Sequence, residues 1–333
     1  MTGSKVVLII TGQLDPHPTS VINLMNERGI PVFRLNTEVL MTDYDFTWNS
    51  DNRGEDVIIK NIKNGLVVYG HQIESIWCRR PSAPETLRLY SKPNIDTFNL
   101  NAAKEFYNYL MYYFSDRYSI GHYLYDRNAS SKMVQLRLAA KLGIKIPRTC
   151  ISNTHDSITN FAKSIPDVLI KSLSPDCLVE NGLIYDLYAT KVKSRDLLQL
   201  NAEAFSQTVS FCENYVEKKY EVRVTVMGPY IFAIKIDSQQ QKENEGKIDW
   251  RQGYDNNIKQ EEISLPKEIE IFCKKYLREL KLNFGCFDFI VQPNGEYVFL
   301  ECNPNGQWRW IEEQLHLPMT EALVDCLVNK LEV

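Results

Sequence analysis

The sequence predicts a mixed α/β chain built from two or three packed units, on three observations. Strand-like apolar runs alternate with helix-like periodic runs through the first third of the chain. Turn and cap residues such as Gly29, Asn64-Gly65 and Gly143 separate these runs at intervals suited to packed domains. Near the C-terminus, residues 284–307 (FGCFDFIVQPNGEYVFLECNPNGQ) form two apolar strand patterns around a turn signal. A chain of 333 residues, 44% of them apolar, is long enough to bury more than one core.

The elements follow in order. Val6–Ile10 is a buried strand, Pro18–Arg28 a helix stopped by Gly29, and Val32–Leu35 a second strand. Asp43–Trp48, Val57–Lys60 and Leu66–Tyr69 form a meander turning at Asn64-Gly65. Ile73–Cys78 is a further strand, and a long aromatic helix from Ile95 to Ser115 closes a first unit, residues 1–124. In a second unit, residues 125–205, Asn128 to Ser131 supply N-cap candidates for the helix Lys132–Leu142. Strands at Thr149–Ser152, Val168–Leu173 and Tyr188–Val192 and a helix at His155–Ser164 follow. A third unit, residues 206–333, holds strands Phe211–Val216, Glu221–Met227 and Tyr230–Ile236 and helix Pro266–Leu280. The C-terminal hairpin and a final helix from Pro318 complete it. Gln239–Lys247, rich in charged and amide residues, is expected to be a mobile surface loop.

The hairpin carries the chemistry. If Asn294-Gly295 is a two-residue turn, Pro293 faces Glu296 and Asp288 lies directly opposite Glu301. Alternation then places Asp288, Glu301 and Asn303 on one face, with Phe287, Phe289, Val291, Val298, Leu300 and Cys302 on the core face. Paired carboxylates across a sheet repel. A divalent cation removes that penalty, and hard oxygen donors suit magnesium bridging to phosphates. The alternative is a hairpin whose acids simply face water.

The net charge of −4 gives no support for nucleic-acid binding, which needs a basic surface. The eight cysteines form no C-x-x-C pair, which suits buried thiols in a reducing cytoplasm. The apolar run after Lys5 is too short for a signal peptide or membrane span, so a cytoplasmic protein without a membrane partner is expected.

Cations elsewhere point to polyphosphate. Lys171 interrupts an apolar strand, where it either snorkels from an edge or reaches an anion. Lys132 occupies a first helical turn, where the dipole disfavours a cation unless an anion joins it. Arg223 shares a strand face with Glu221, and Lys235 and Arg251 flank the polar loop. Arginine suits a bidentate grip on phosphate or carboxylate. The 211–216 strand either offers edge backbone groups of Glu213, Asn214 and Val216 to an adenine, with Glu221 on ribose hydroxyls, or is a plain core strand. The aromatic positions Phe106, Tyr107, Tyr109, Tyr112, Tyr113 and Phe114 are either core, the commoner case, or a peptide or homodimer surface.

Together, Asp288, Glu301, Asn303, Lys132, Lys171, Arg223 and the 213–216 segment resemble the ATP-grasp fold. Trp77-Cys78-Arg79-Arg80, Asn128 to Lys132, Ile146 to Thr149, Asp249-Trp250-Arg251 and Phe299 to Trp308 are similar to the graspetide, or microviridin-type, peptide macrocyclases. The likeness runs over nearly the whole chain. It implies an N-terminal Rossmann-like α/β domain, a central α/β subdomain and a C-terminal ATP-grasp subdomain. It also implies a ligase that uses ATP and magnesium, two ions, to activate Asp or Glu side chains of a ribosomal precursor peptide as acyl phosphates. A Ser or Thr hydroxyl, or a Lys amine, then closes an ω-ester or ω-amide ring.

By the same resemblance, Asp288, Glu301 and Asn303 hold the metals, and Lys132, Lys171 and Arg223 clamp phosphates. Arg251 stabilises the γ-phosphate or acyl phosphate. A leader segment docks on the central unit, and Arg79 and Arg80 are candidates to receive the acidic core, or else form a solvated strand end. One departure is that residues 172–182 hold a single glycine where many ATP-grasp enzymes carry a glycine-rich loop. No histidine falls in a matched motif, so no base for the hydroxyl is evident. The competing readings are an ATP-grasp ligase for free amino acids or a protein tail, a nucleotide- and peptide-binding module without turnover, and a scaffold.

Overall fold

The computed structural model describes residues 4–84, 93–173, 178–180, 183–185, 187–241, 244–252 and 258–333. β1 (Val6–Thr11) and β2 (Val32–Asn36) open a parallel sheet, flanked by helix His17–Glu27. A meander of β3 (Tyr44–Asp51), β4 (Gly54–Asn61) and β5 (Val67–Tyr69) follows, and β6 (Ile73–Cys78) and β7 (Tyr118–Ile120) complete the parallel sheet in the order β2-β1-β6-β7. The chain leaves β1 for one side and returns to β6 on the other. The loops after β1 and β6 therefore meet at a switch point, where open parallel sheets gather functional groups. Helix Pro93–Tyr113 buries Tyr107, Leu110 and Met111, with Phe114 just beyond it, and leaves Tyr112 exposed, so the aromatic run is largely core.

The central sheet contains β8 (Thr149–Ser152), β9 (Asp167–Lys171), β12 (Thr190–Lys193) and β13 (Ser210–Asn214) in the order β12-β9-β13-β8, beside the short hairpin of β10 (Leu178–Glu180) and β11 (Leu183–Tyr185). The stretch after Lys171 with its single glycine falls partly on residues 174–177 and 181–182, outside the described residues. The C-terminal sheet runs β16-β15-β14-β17-β18, from β14 (Tyr220–Met227), β15 (Tyr230–Ile236), β16 (Gln260–Glu262), β17 (Phe284–Val291) and β18 (Tyr297–Asn303). Phe272, Tyr276, Phe287, Phe289 and Phe299 interlock beneath it, with Tyr276 and Phe287 ring centroids 5.4 Å apart. Helix Met319–Asn329 packs back on the first unit, so Val21, Met25, Trp77 and Leu323 share one core.

Two expectations are corrected here. The polar stretch is not an open loop: Ser238–Gln240 and Asn244–Ile248 are short helices tied by Gln239 Nε2 donating to Lys247 O at 3.0 Å. Strand β13 is not an edge. It lies between β8 and β9, so Cys212 pairs with Cys150 on one side and Ile170 on the other. Its backbone groups are therefore paired within the sheet rather than offered at an edge.

Candidate active site

Asp288 pairs with Glu301, as expected, but by a different route. The Gln292 N–H donates to Glu296 O at 2.9 Å and the Gly295 N–H to Gln292 O at 2.8 Å. The turn therefore has three residues, with Gly295 at φ +87° where a Cβ would be strained. That register pairs Val291 with Tyr297 and Phe289 with Phe299. Left alone it would face Asp288 with Leu300. A β-bulge between Phe289 and Asp288 absorbs Leu300 and restores Asp288 opposite Glu301. The cost to the expected pattern is that Phe299 takes the core place expected of Leu300, which is only partly buried.

Each acid has a cation. Arg223, on the neighbouring β14, places Nη1 2.6 Å from Asp288 Oδ2. Lys132, in the first turn of helix Lys132–Lys141, pairs with Glu301 Oε2. The pair titrates apart. Burial raises Asp288 above the ordinary carboxylate range against the pull of Arg223, while Glu301 adds to the rise. Burial also opposes charge on Glu301, but Lys132, with Lys171 and Arg251, overrides it and holds Glu301 below the ordinary range. Four cations from separate segments thus converge electrostatically on two carboxylates.

Lys171 Nζ lies 2.6 Å from Glu213 Oε2, whose carboxylate is fully buried in the central sheet. Asn214 Oδ1 accepts from the Arg148 N–H at 2.6 Å, and Val216 sits half-buried in the loop between β13 and β14. Glu221 is buried against Lys218, whose Nζ lies 2.7 Å from Glu221 Oε1 and donates to Ile248 O at 2.8 Å. Arg251 is gripped bidentately by Asp249, Nε to Oδ1 at 2.8 Å and Nη2 to Oδ2 at 2.5 Å. Burial opposes charge on Asp249, but this grip holds its carboxyl below the ordinary range. Among the described residues no three His, Cys, Asp or Glu side chains converge as a metal cluster. The candidate donor set is two carboxylates and the Asn303 amide oxygen, all hard oxygens as magnesium requires.

Arg79 and Arg80 part company. Arg79 is 1% exposed, with Nε 2.8 Å from Asp15 Oδ2 across the switch point. It donates to the carbonyls of Asn305 and Gly306 at 3.4 and 3.3 Å. It therefore cannot meet a peptide directly, which corrects the expectation; Arg80 is exposed, in the left-handed region at φ +47°, and reaches Asn305 O at 3.2 Å.

Gln135 carried no signal in sequence. Its carboxamide donates to Cys302 O at 2.7 Å and accepts from the Cys302 N–H at 3.2 Å, between Glu301 and Asn303. Lys218 and Asp126 were missed likewise. A buried polar residue in a helix or loop looks like any surface one until its distant partner is known.

A family model described as the MvdD pre-ATP grasp domain matches residues 6–104. No curated protein matches the chain. Among solved structures, a Chryseobacterium gregarium RiPP-associated ATP-grasp ligase, in complex with ADP and a leader and core peptide, superimposes with a TM-score of 0.86 at 26% identity, over 98% of this chain and 97% of that one. Macrocyclase MdnB from Microcystis aeruginosa MRC gives 0.77 at 26% identity, over 97% and 99%. Macrocyclase MdnC from the same organism, bound with precursor peptide MdnA, gives 0.81 at 24% identity, over 97% and 99%.

Proposed function

We propose that this chain, an ATP-grasp ligase of the graspetide (microviridin-type) peptide macrocyclase family, cyclises a ribosomally made precursor peptide through its own side chains. The observation that carries the reading is the Asp288–Glu301 pair ringed by Lys132, Lys171, Arg223 and Arg251, in a chain alike over its whole length to ligases that hold ADP and leader and core peptides.

A carboxylate oxygen of the peptide bonds to the γ-phosphorus of ATP as the bond to ADP breaks. A Ser or Thr hydroxyl, or a Lys amine, of the same peptide then attacks the acyl carbon, gives up its proton and displaces phosphate. Each ring closed is one water lost. Asp288, Glu301 and Asn303 are the oxygens we assign to two magnesium ions, which when bound neutralise charge on the β- and γ-phosphates. Lys132, Lys171 and Arg223 hold the phosphates, and Arg251, kept in place by Asp249, faces the charge that develops in transfer. Glu213, Asn214, Val216 and Glu221 border the nucleoside. Arg80, strained and exposed beside the site loop, is the residue we assign to the acidic core, and holding both peptide side chains makes closure effectively unimolecular. The units are placed at 1–124, 125–214 and 215–333, since β13 (Ser210–Asn214) completes the central sheet rather than joining residues 206–333 as the sequence suggested, and the seven free thiols among the described residues suit a reducing cytoplasm.

The test is the mass of a candidate leader-plus-core peptide after co-expression with wild type and with Glu301→Ala. Wild type alone should remove whole waters, and survival of the links in mild base distinguishes amide from ester. An unchanged peptide mass from a protein that binds ADP would sink this reading in favour of a free amino-acid ligase or a binding module.

A further inference from the structure

The turn that follows the metal hairpin is held from behind by groups that no step above uses. Asn303 Oδ1 accepts from the Asn305 N–H at 3.0 Å, and the Gly306 N–H donates to Asn303 O at 3.2 Å. Asn305 is thus the residue that orients the amide oxygen of Asn303. Its own carboxamide donates from Nδ2 to Asp126 Oδ2 at 2.7 Å. The other oxygen of Asp126 accepts from the His122 N–H at 3.0 Å.

Asp126 lies on the helix Tyr123–Ala129, which leads into the helix bearing Lys132 and is 9% exposed. Both its hydrogen-bond donors are neutral, so the buried charge has no counter-ion among them and is costly to keep. Both groups that face Asp126 are N–H donors, so both its oxygens accept, and this decides the geometry. Asp126 takes the amino end of the Asn305 amide and excludes the carbonyl end, so the Asn305 side chain has one orientation. An asparagine at 126 would serve one donor and set an amino group against another.

We propose that Asp126 and Asn305 form a buried latch that positions Asn303 for metal, and that Asp126 is a positioning residue of the ligase reaction. The proposal rests on the reading of Asn303 as a magnesium ligand. Arg79 completes the latch from the opposite side: with Asp15 holding its guanidinium, it fixes the carbonyls of Asn305 and Gly306. Gly306 has no room for a side chain, since a Cβ there would lie 2.5 Å from Cys286 Sγ and 2.9 Å from Arg223 Nη2. The turn is held by side chains from the two other units and by its own tight packing.

The test is titration of Mn²⁺, as a spectroscopic substitute for magnesium, into the protein saturated with ADP, followed by the paramagnetic resonance of free Mn²⁺. Circular dichroism and thermal unfolding establish that each variant is folded. Asn305→Asp sets two carboxylates together and should weaken Mn²⁺ by roughly tenfold or more, the scale on which groups behind a ligand act. The exchange Asp126→Asn with Asn305→Asp swaps donor and acceptor and should recover most of that loss. ADP binding in EDTA should be the same throughout. Should Asn305→Asp not fold, Asp126→Asn alone carries the test, with a several-fold loss expected.

Wild-type Mn²⁺ affinity in Asn305→Asp, or in Asp126→Asn where that variant carries the test, overturns the latch, provided Asn303→Ala binds weakly. A double exchange no better than the single variant overturns the pairing. Wild-type affinity in Asn303→Ala removes the ligand assignment and the proposal with it.

Discussion

The central and C-terminal sheets supply opposite halves of the site, and they are built differently. In β14 and β17 all but one residue of each strand is buried, over an interlocked set of five aromatic rings. In β8 every residue is only half-buried, and in β9 Val168 alone is fully covered, over a small core of Ile158, Ala162, Leu197, Phe205 and Cys212. The acids assigned to metal therefore stand on the stiff plate, and Lys171 and Glu213 on the loose one. A ligase that must admit ATP and a peptide, then exclude water, gains from that division, since elements that move come from the less stable parts of a fold.

The comparison breaks most visibly in stability. Phe299→Ala should cost about 3–5 kcal/mol, and Val168→Ala about 2 kcal/mol, for the loss of two buried methyl groups. In chemical denaturation the first should shift the whole unfolding, whereas the second should advance only loss of the central unit. Equal effects on one transition would mean the two sheets are a single cooperative body.

Hydrogen exchange sharpens the contrast with a smaller effect. Amides of Thr149–Ser152 and Asp167–Lys171 should exchange through local openings, while those of Glu221–Met227 should wait for global unfolding. Saturating ADP should slow the first set and leave the second unchanged. Uniform protection across both sheets would count against a mobile central half.

A third contrast is in pH. Burial raises Asp126 to about 7, with the His122 N–H and Asn305 pulling it down only in part. Its folded value lies above its unfolded value of about 3.9. Its protonated form therefore supports the fold below pH ~4, and that support is lost as pH rises to about 7. Asp126→Asn should flatten this part of the stability profile. Asp167, on the loose sheet, shows the opposite sign: Lys193 lowers it against slight desolvation, aided by Lys191. Its contribution is present above the unfolded value and fades as pH falls below it, so Asp167→Asn should alter only the acid limb.

The pairing of Asp288 with Glu301 was legible because alternation and a turn signal restrict a hairpin to a few registers. It was reached through two departures that cancel, a turn longer by one residue and a bulge that takes up the difference. A bulge leaves no local mark in sequence, and so Phe299 and Leu300 exchanged the places expected of them. The first-unit strands up to β6 and the helices Lys132–Lys141 and Lys267–Glu279 also followed from periodicity and caps, whereas the three-residue β7 was not foreseen. What stayed hidden depends on contacts between residues far apart in the chain. Arg79 looked like a strand-end cation until Asp15 and the Asn305 carbonyl were brought to it. Glu213 looked like an edge residue until β8 covered its strand. Asp126, Gln135 and Lys218 have partners that no spacing rule connects to them.

The outer side of β18 bears on how such a protein survives its own substrate. An enzyme that handles extended, unfolded peptide risks having that peptide zip onto any open sheet border as one more strand. Here the border is occupied at two places. The Phe299 N–H donates to Lys145 O at 2.8 Å, and the Gln135 carboxamide imitates a neighbouring chain by bonding both polar groups of Cys302. At these rungs, on either side of Glu301, a visiting peptide finds the backbone groups already paired.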